Sequence, residues 1–294
     1  MWLLFALLAA ISFGLRGILY HWSSSQGMDR NLMLFGVFFT GAIASLVGSF
    51  MFGQSWTLSA LTGVFMGAFS FIANACMFQG FAVGKPSIIA ILTGLPPVVV
   101  VTLAYLLWGE TLSLGQLLAF LLIVAGILTV RYSNDLRMGN LQGAQWGLLA
   151  MLFFGLNDMA GKMSTRLEAE LFPTLFFMFS VGSICFAVWW LIDRNRKRLK
   201  AASNTYEPAV QQGKWNEQRT FFAGMAIGLT NFFGMILIIT AFKFGITGLV
   251  SAVVAMNVLL ILLYTRVFVK EKFRRLEVIG MSICIIGMIA LRVF

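Results

Sequence analysis

"WGETLSLGQLLAFLLIVAGILTVR", residues 108–131, sets one carboxylate in a short turn and follows it with an unbroken apolar run ending in arginine. At an offset of 161 the chain writes the template again as "VKEKFRRLEVIGMSICIIGMIALR", residues 269–292. Glu110 corresponds to Glu271, Gly126 to Gly287 and Arg131 to Arg292. The apolar run keeps its length while the turn changes character. No Lys or Arg lies between 109 and 115, whereas Lys270, Lys272, Arg274 and Arg275 crowd the second turn.

Composition supplies the setting for this repeat. Hydrophobic residues make up 60% of the 294 positions and charged residues 11%, against about 25% charged in ordinary soluble domains. That supply cannot cover a water-facing surface, so the chain is an integral membrane protein. Its formal charge of +10 sits in short gaps between apolar runs. Such an arrangement speaks for membrane orientation and anionic lipid and against nucleic acid. Cys76, Cys185 and Cys284 lie inside apolar runs without metal-ligand spacing and read as small core residues. The single histidine, His21, has no ligand partner nearby and belongs at a membrane interface.

A helix needs about 20 apolar residues to cross a bilayer. Ten segments meet or approach that length, at 2–21, 32–52, 58–83, 86–108, 112–130, 144–163, 172–192, 220–243, 247–268 and 276–293. They are too long and too uniformly apolar for membrane β-strands, which makes the fold all-α. The first run has no basic leader and no cleavage signature, so it reads as a retained span. The one long polar stretch, 193–219, reads as a solvated cytoplasmic linker.

Charge orients the spans. Arg30, Lys85, Arg131, Arg137, seven residues between Arg194 and Arg219 and five between Arg266 and Arg275 flank the odd-numbered loops. The opposite side carries only Lys162, Arg166, Lys243 and Arg292. Positive flanks stay in the cytoplasm, which places the odd loops inside and both termini outside. Five spans are an odd number, so a second copy inserts upside down relative to the first, and only the charge of its turns must change. The template therefore predicts ten transmembrane helices as two inverted five-helix repeats, 1–135 and 136–294, with the 193–219 loop inside the second.

Further pairs support the duplication. At offset 161, Gly63 matches Gly224, Gly67 matches Gly228, Phe71 matches Phe232 and Gly84 matches Gly245. For the first span the offset is 141, pairing "SFGLRG" at 12–17 with "FFGLND" at 153–158. The long loop after span seven absorbs the difference. Inverted repeats of this kind belong to carriers that work by alternating access around a site near the midplane.

With these residues in view, the chain resembles the drug/metabolite transporter superfamily, specifically its ten-span EamA-type carriers. The resemblance covers nearly the whole chain. It is most specific at 84–130, "GKPSIIAILTGLPPVVVVTLAYLLWGETLSLGQLLAFLLIVAGILTV", with its glycine-glutamate turn, and at "FFGLNDMAGK", 153–162. Arg16 stands where the family's opening pattern has asparagine, His21 where it has lysine, and Asn257 in span nine where span four has Pro96.

Polar side chains inside spans, and one proline that frees a backbone carbonyl, mark candidate substrate contacts: Arg16, Asn74, Pro96, Asn157, Asp158, Asn231 and Asn257. Arg16 either lines a cavity or snorkels to the headgroups. Asp158 either serves the cavity or pairs with Lys162, one helical turn on. Arg16 and Asp158 are expected ~13 Å apart along the membrane normal from the helical rise, too far for a direct ion pair. Gly63, Gly67, Gly224 and Gly228 read as close-packing positions. Pro96 and Pro97 lack N–H groups, so span four should bend at Leu92 and Thr93. No phosphate loop, metal cluster or nucleophile–base arrangement is visible.

The function that follows is a secondary active or facilitative transporter of the cytoplasmic membrane, without a cofactor. Its partners are a small polar or amphipathic metabolite, membrane lipids and, as a candidate coupling ion, the proton. The resemblance implies export of amino acids or related metabolites. The rival reading is a membrane enzyme or flippase-like protein handling a lipid headgroup, and one histidine in the whole chain argues against it.

Overall fold

The computed structural model describes residues 1–132, 143–203, 215–268, 270 and 274–293. The expected repeat boundary at 135/136, Arg137 and Glu271 lie outside these residues. The helices are α1 (Trp2–Ser25), α2 (Arg30–Met51), α3 (Thr62–Val83), α4 (Pro86–Leu92), α5 (Pro96–Trp108) and α6 (Leu114–Arg131) in the first half. The second half holds α7 (Ala144–Arg166), α8 (Leu171–Ser203), α9 (Glu217–Phe244), α10 (Thr247–Ala255), α11 (Asn257–Val267) and α12 (Arg275–Val293). Among the described residues, nine helical segments are long and apolar enough to cross a membrane, with α4–α5 and α10–α11 each counting as one. The tenth span is α7, whose 23 residues rise about 35 Å; Asp158, Lys162 and Arg166 in its second half lower its hydropathy.

The exterior is apolar. Leu4, Leu8, Ile11 and Leu15 share one exposed face of α1 while Ala6, Ala9, Ala10 and Phe13 are buried on the other. A helix apolar on every side has lipid as its second solvent.

The two halves pack as symmetry mates. Span one (α1) lies against span eight (α9) and span nine (α10–α11), and span six (α7) lies against span three (α3) and span four (α4–α5). Span two meets span eight as span seven meets span three, while two with seven, four with nine and five with ten pair across the molecule. Adding five to each span number returns the same principal contacts. A two-fold that exchanges five-span halves must invert them, so the fold is two inverted repeats.

Glycine makes the closest of these approaches possible. A Cβ on Gly63 would strike the Thr174 carbonyl, and one on Gly67 would strike the Met178 carbonyl. In the mirror position, Gly224 and Gly228 abut the carbonyls of Met33 and Val37. These contacts repeat at offsets of 161 and 141, the offsets read from the sequence. Between α6 and α12 the symmetry is equally tight. Gly126 sits against Cys284 and Gly280, and Gly287 against Ile123 and Ala119.

Spans four and nine depart from the expected shape. Span four is broken, not merely bent: α4 ends at Leu92 and α5 begins with Pro96 at its first position. The Leu92 carbonyl, expected to lose its partner, accepts from Leu95 N–H at 3.0 Å through a tighter turn. Pro96 removes only an N–H that is unsatisfied at a helix start anyway. Span nine breaks at Met256, between α10 and α11, without any proline.

If glycine contact holds the repeats together, Gly63→Val and Gly224→Val should destabilise alike, each by roughly 1–3 kcal/mol from overpacking. The lipid-facing Ile43→Val should change little. Thermal unfolding of the detergent-solubilised protein measures this, and unequal losses at the two glycines would speak against symmetric packing.

Candidate functional site: a polar cavity between the repeats

The two broken spans face one cavity of about 270 Å³. All seven residues singled out from the sequence line it: Arg16, Asn74, Pro96, Asn157, Asp158, Asn231 and Asn257. They arrive from α1, α3, α5, α7, α9 and α11, so both repeats build the wall. Ser70, Thr93, Ser251 and Tyr20 add hydroxyl groups, while Phe13, Phe38, Phe154, Met178, Met235 and Ile261 supply apolar wall.

Arg16 does not snorkel. Its guanidinium turns inward, donates to Asn231 Oδ1 and lies 4.5 Å from the Phe13 ring centroid and 5.7 Å from that of Tyr20. An ionic head over aromatic faces is stabilised by the ring quadrupoles as well as by its hydrogen bond. Asp158 accepts from Ser251 at 2.6 Å and hydrogen-bonds its neighbour Asn157. Asn74 donates to the Ser70 carbonyl at 2.7 Å, one turn back in its own helix.

The expected alternative of an Asp158–Lys162 pair is not formed. Lys162 instead donates to the carbonyls of Phe242 at 2.7 Å and Gly245 at 3.0 Å, where α9 ends. It also lies 3.7 Å from Glu110. Glu110 in turn accepts from the Thr247 backbone N–H and the Thr247 hydroxyl, both at 2.9 Å, at the first turn of α10. A cation thus sits at a helix C-terminus and an anion at a helix N-terminus, each where the backbone dipoles favour it. The turn that presents Glu110 is preset: Gly109 is left-handed at φ 64°, and Ser113 with Gln116 forms a capping box at the start of α6.

Arg131 has a contact that the sequence reading missed. It flanks the loop as expected, as the last residue of α6, but its side chain turns back into the bundle. There it donates to the Ala90 carbonyl, and to Thr93 Oγ1 at 3.1 Å, across the break in span four. Gly94 leaves room for it, since a Cβ there would lie 3.0 Å from the guanidinium stem. Its sequence counterpart Arg292 is exposed, so nothing in the two matching templates separates them. Ser251 was also missed, because one serine in an apolar helix carries no signal until a partner faces it. His21 is exposed and packs edge-on to Tyr264, 6.3 Å between ring centroids.

The cavity is asymmetric along the bundle. Its lining runs from Ser251, midway along α10, through Ile261, midway along α11, toward Tyr20 and Arg131 near the ends of α1 and α6. The other end of the bundle is tied by Glu110, Lys162 and Thr247. Among the described residues no group of three His, Cys, Asp or Glu side chains could hold a metal ion.

Inverted repeats enclosing a polar cavity at the level of two broken spans are the architecture of a membrane transporter. The chain belongs to the EamA-like transporter family, whose pattern it matches twice, over residues 1–132 and 141–293. A solved structure titled only as the crystal structure of a protein superposes with TM-score 0.71 over 99% of this chain and 95% of the other. At 16% identity that likeness concerns the fold alone. Comparison with curated proteins gives no match.

The pairing makes a double-mutant cycle decisive. Glu110→Gln and Lys162→Gln should couple in stability by roughly 0.5–3 kcal/mol, as partners in one network do. Asp158→Asn and Lys162→Gln should couple less. Stronger coupling in the second pair, read from unfolding midpoints, would restore the intrahelical ion pair.

Proposed function

We propose that this protein is a secondary carrier of the cytoplasmic membrane that moves a small polar or amphipathic metabolite by alternating access. Its direction is export, and its substrates are amino acids or related metabolites. The observation that carries the reading is the cavity itself: charged and amide groups from both repeats converge on one space at the level where spans four and nine break. An enzyme would need a nucleophile or a paired acid and base there, and a lipid-headgroup site would need such groups at an interface.

The charge count orients the cycle. With the odd loops cytoplasmic and both termini outside, the cavity reaches toward the cytoplasm, and the Glu110–Lys162–Thr247 contact closes the outer side. Solute enters from within among Arg16, Arg131 and Asp158. Release outward requires Glu110 to leave the first turn of α10 and Lys162 to leave the end of α9, while the cytoplasmic ends of α1, α6 and α11 close. Breaks at 93–95 and at 256 give each repeat its own hinge, so that the halves exchange conformations by symmetry.

Two measurements test this. An engineered cysteine replacing exposed Arg198, in a background lacking the native cysteines, should resist an impermeant thiol reagent in intact cells and react in inverted vesicles; labelling from outside reverses the orientation. In vesicles containing the purified protein, a metabolite screen should find a solute that moves saturably, with a proton gradient altering the rate if protons are coupled. Vesicles through which none of the screened amino acids or related metabolites moves would remove the carrier reading.

A further inference from the structure

Three side chains that carry charge in water line the cavity, Arg16, Arg131 and Asp158, and among the described residues none of them forms an ion pair. Arg16 bonds Asn231, Arg131 bonds the Ala90 carbonyl and Thr93, and Asp158 bonds Ser251 and Asn157. All these partners are neutral. Two other buried cations do have a carboxylate beside them: Lys162 has Glu110 at 3.7 Å, and Arg266 has Glu277 at 2.5 Å. A charge held away from water without a counter-ion is costly, so the cavity is built for a counter-ion that comes and goes.

The unused hydrogen-bonding capacity points the same way. Four buried side-chain polar atoms lack a partner among the described residues, and two of them belong to this cavity: Arg131 Nε, a donor, and Asn157 Oδ1, an acceptor. The donor sits on a guanidinium; the acceptor sits beside the Asp158 carboxylate. An orphaned buried polar group is expensive and marks an absent partner. Here the absent partners are of two kinds, an anion for Arg131 and a cationic donor for Asn157 and Asp158.

We propose that the transported solute is an acidic zwitterion, one ammonium group and two acidic groups on a small skeleton, as in an amino-dicarboxylate. The ammonium group lies between Asp158 and Asn157 Oδ1, and the acidic groups are taken by Arg131 and Arg16. Two guanidinium charges and one carboxylate give the cavity wall a net charge of +1, and a solute of charge −1 neutralises it. A neutral amino acid leaves one guanidinium unmatched, and a basic one adds to the excess. The cavity of about 270 Å³ is at the lower end of ligand sites, which suits a solute of this size. This inference rests on the carrier reading and narrows it to one substrate class.

The test uses the full-length protein in vesicles with radiolabelled aspartate, glutamate, glutamine and lysine as probes. Saturable movement of aspartate or glutamate is expected, at least tenfold faster than glutamine at equal concentration, with lysine excluded. Arg131→Gln should narrow the acidic-to-neutral ratio by tenfold or more, and Arg131→Lys should restore part of it. Because Arg131 also braces the break in span four, unfolding midpoints accompany each variant; loss of the ratio in a protein of unchanged midpoint supports the charge role. If the Gln variant fails to fold, Arg16→Gln gives the same reading from the other guanidinium. Faster movement of glutamine or lysine than of the acidic probes overturns this inference and leaves the carrier standing. An unaltered ratio in folded Arg131→Gln and Arg16→Gln also overturns it. Vesicles through which none of the four probes moves overturn it as well, and the wider metabolite screen then decides whether the carrier reading falls with it.

Discussion

In hydrocarbon, a charged side chain or a freed backbone carbonyl can turn only toward protein or trapped water. That constraint organises this molecule. The chain places a guanidinium within span one, a carboxylate within span six and interruptions in spans four and nine. Each must face inward, and because the two halves are related by a two-fold, they face the same place. The cavity is the consequence of placing polar groups at matching depths in two inverted copies and allowing them no other exit.

The same constraint explains the division between structural and cavity charges. Lys162 and Glu110 sit one helical turn or more beyond the cavity, where α9 ends and α10 begins, and bind each other together with those helix ends. Their side chains are only 11% and 16% exposed. Each has an opposite charge and backbone groups to satisfy it, which is the condition for burying ions without severe loss. Arg16, Arg131 and Asp158 have hydrogen bonds but, among the described residues, no opposite charge. Groups so similar in type behave differently because of what the neighbouring helix presents to them, a terminus in one case and a neutral wall in the other.

Much of this was legible in the sequence because it depends on period and sign. Span lengths follow from bilayer thickness, and the inversion follows from an odd span number together with the changed charge of one turn. The glycine pairs at offset 161 reappear as mirrored close contacts, since a missing side chain at a helix crossing can be read without knowing the partner. The candidate residues were legible for a related reason: a polar group in an apolar helix must turn inward, whatever it then meets. What it meets was not legible. Asp158 and Lys162 are four residues apart on one helix, and only the approach of α10 and of the 109–113 turn assigns them to Ser251 and Glu110. Arg131 and Arg292 end matching runs, yet one turns back across Gly94 and the other faces outward. A proline pair announced the break in span four, whereas the break at Met256 has no local marker and follows from its symmetry mate.

The central claim is that the cavity opens alternately to the two sides, with the Glu110–Thr247 contact closing one of them. Replacing these two residues by cysteines in a background without the native cysteines, and joining them by oxidation, addresses it directly. The account predicts that solute transport stops on cross-linking and returns on reduction, while the cavity stays accessible from the opposite side throughout. Undiminished transport through the cross-linked protein would contradict alternating access at this contact.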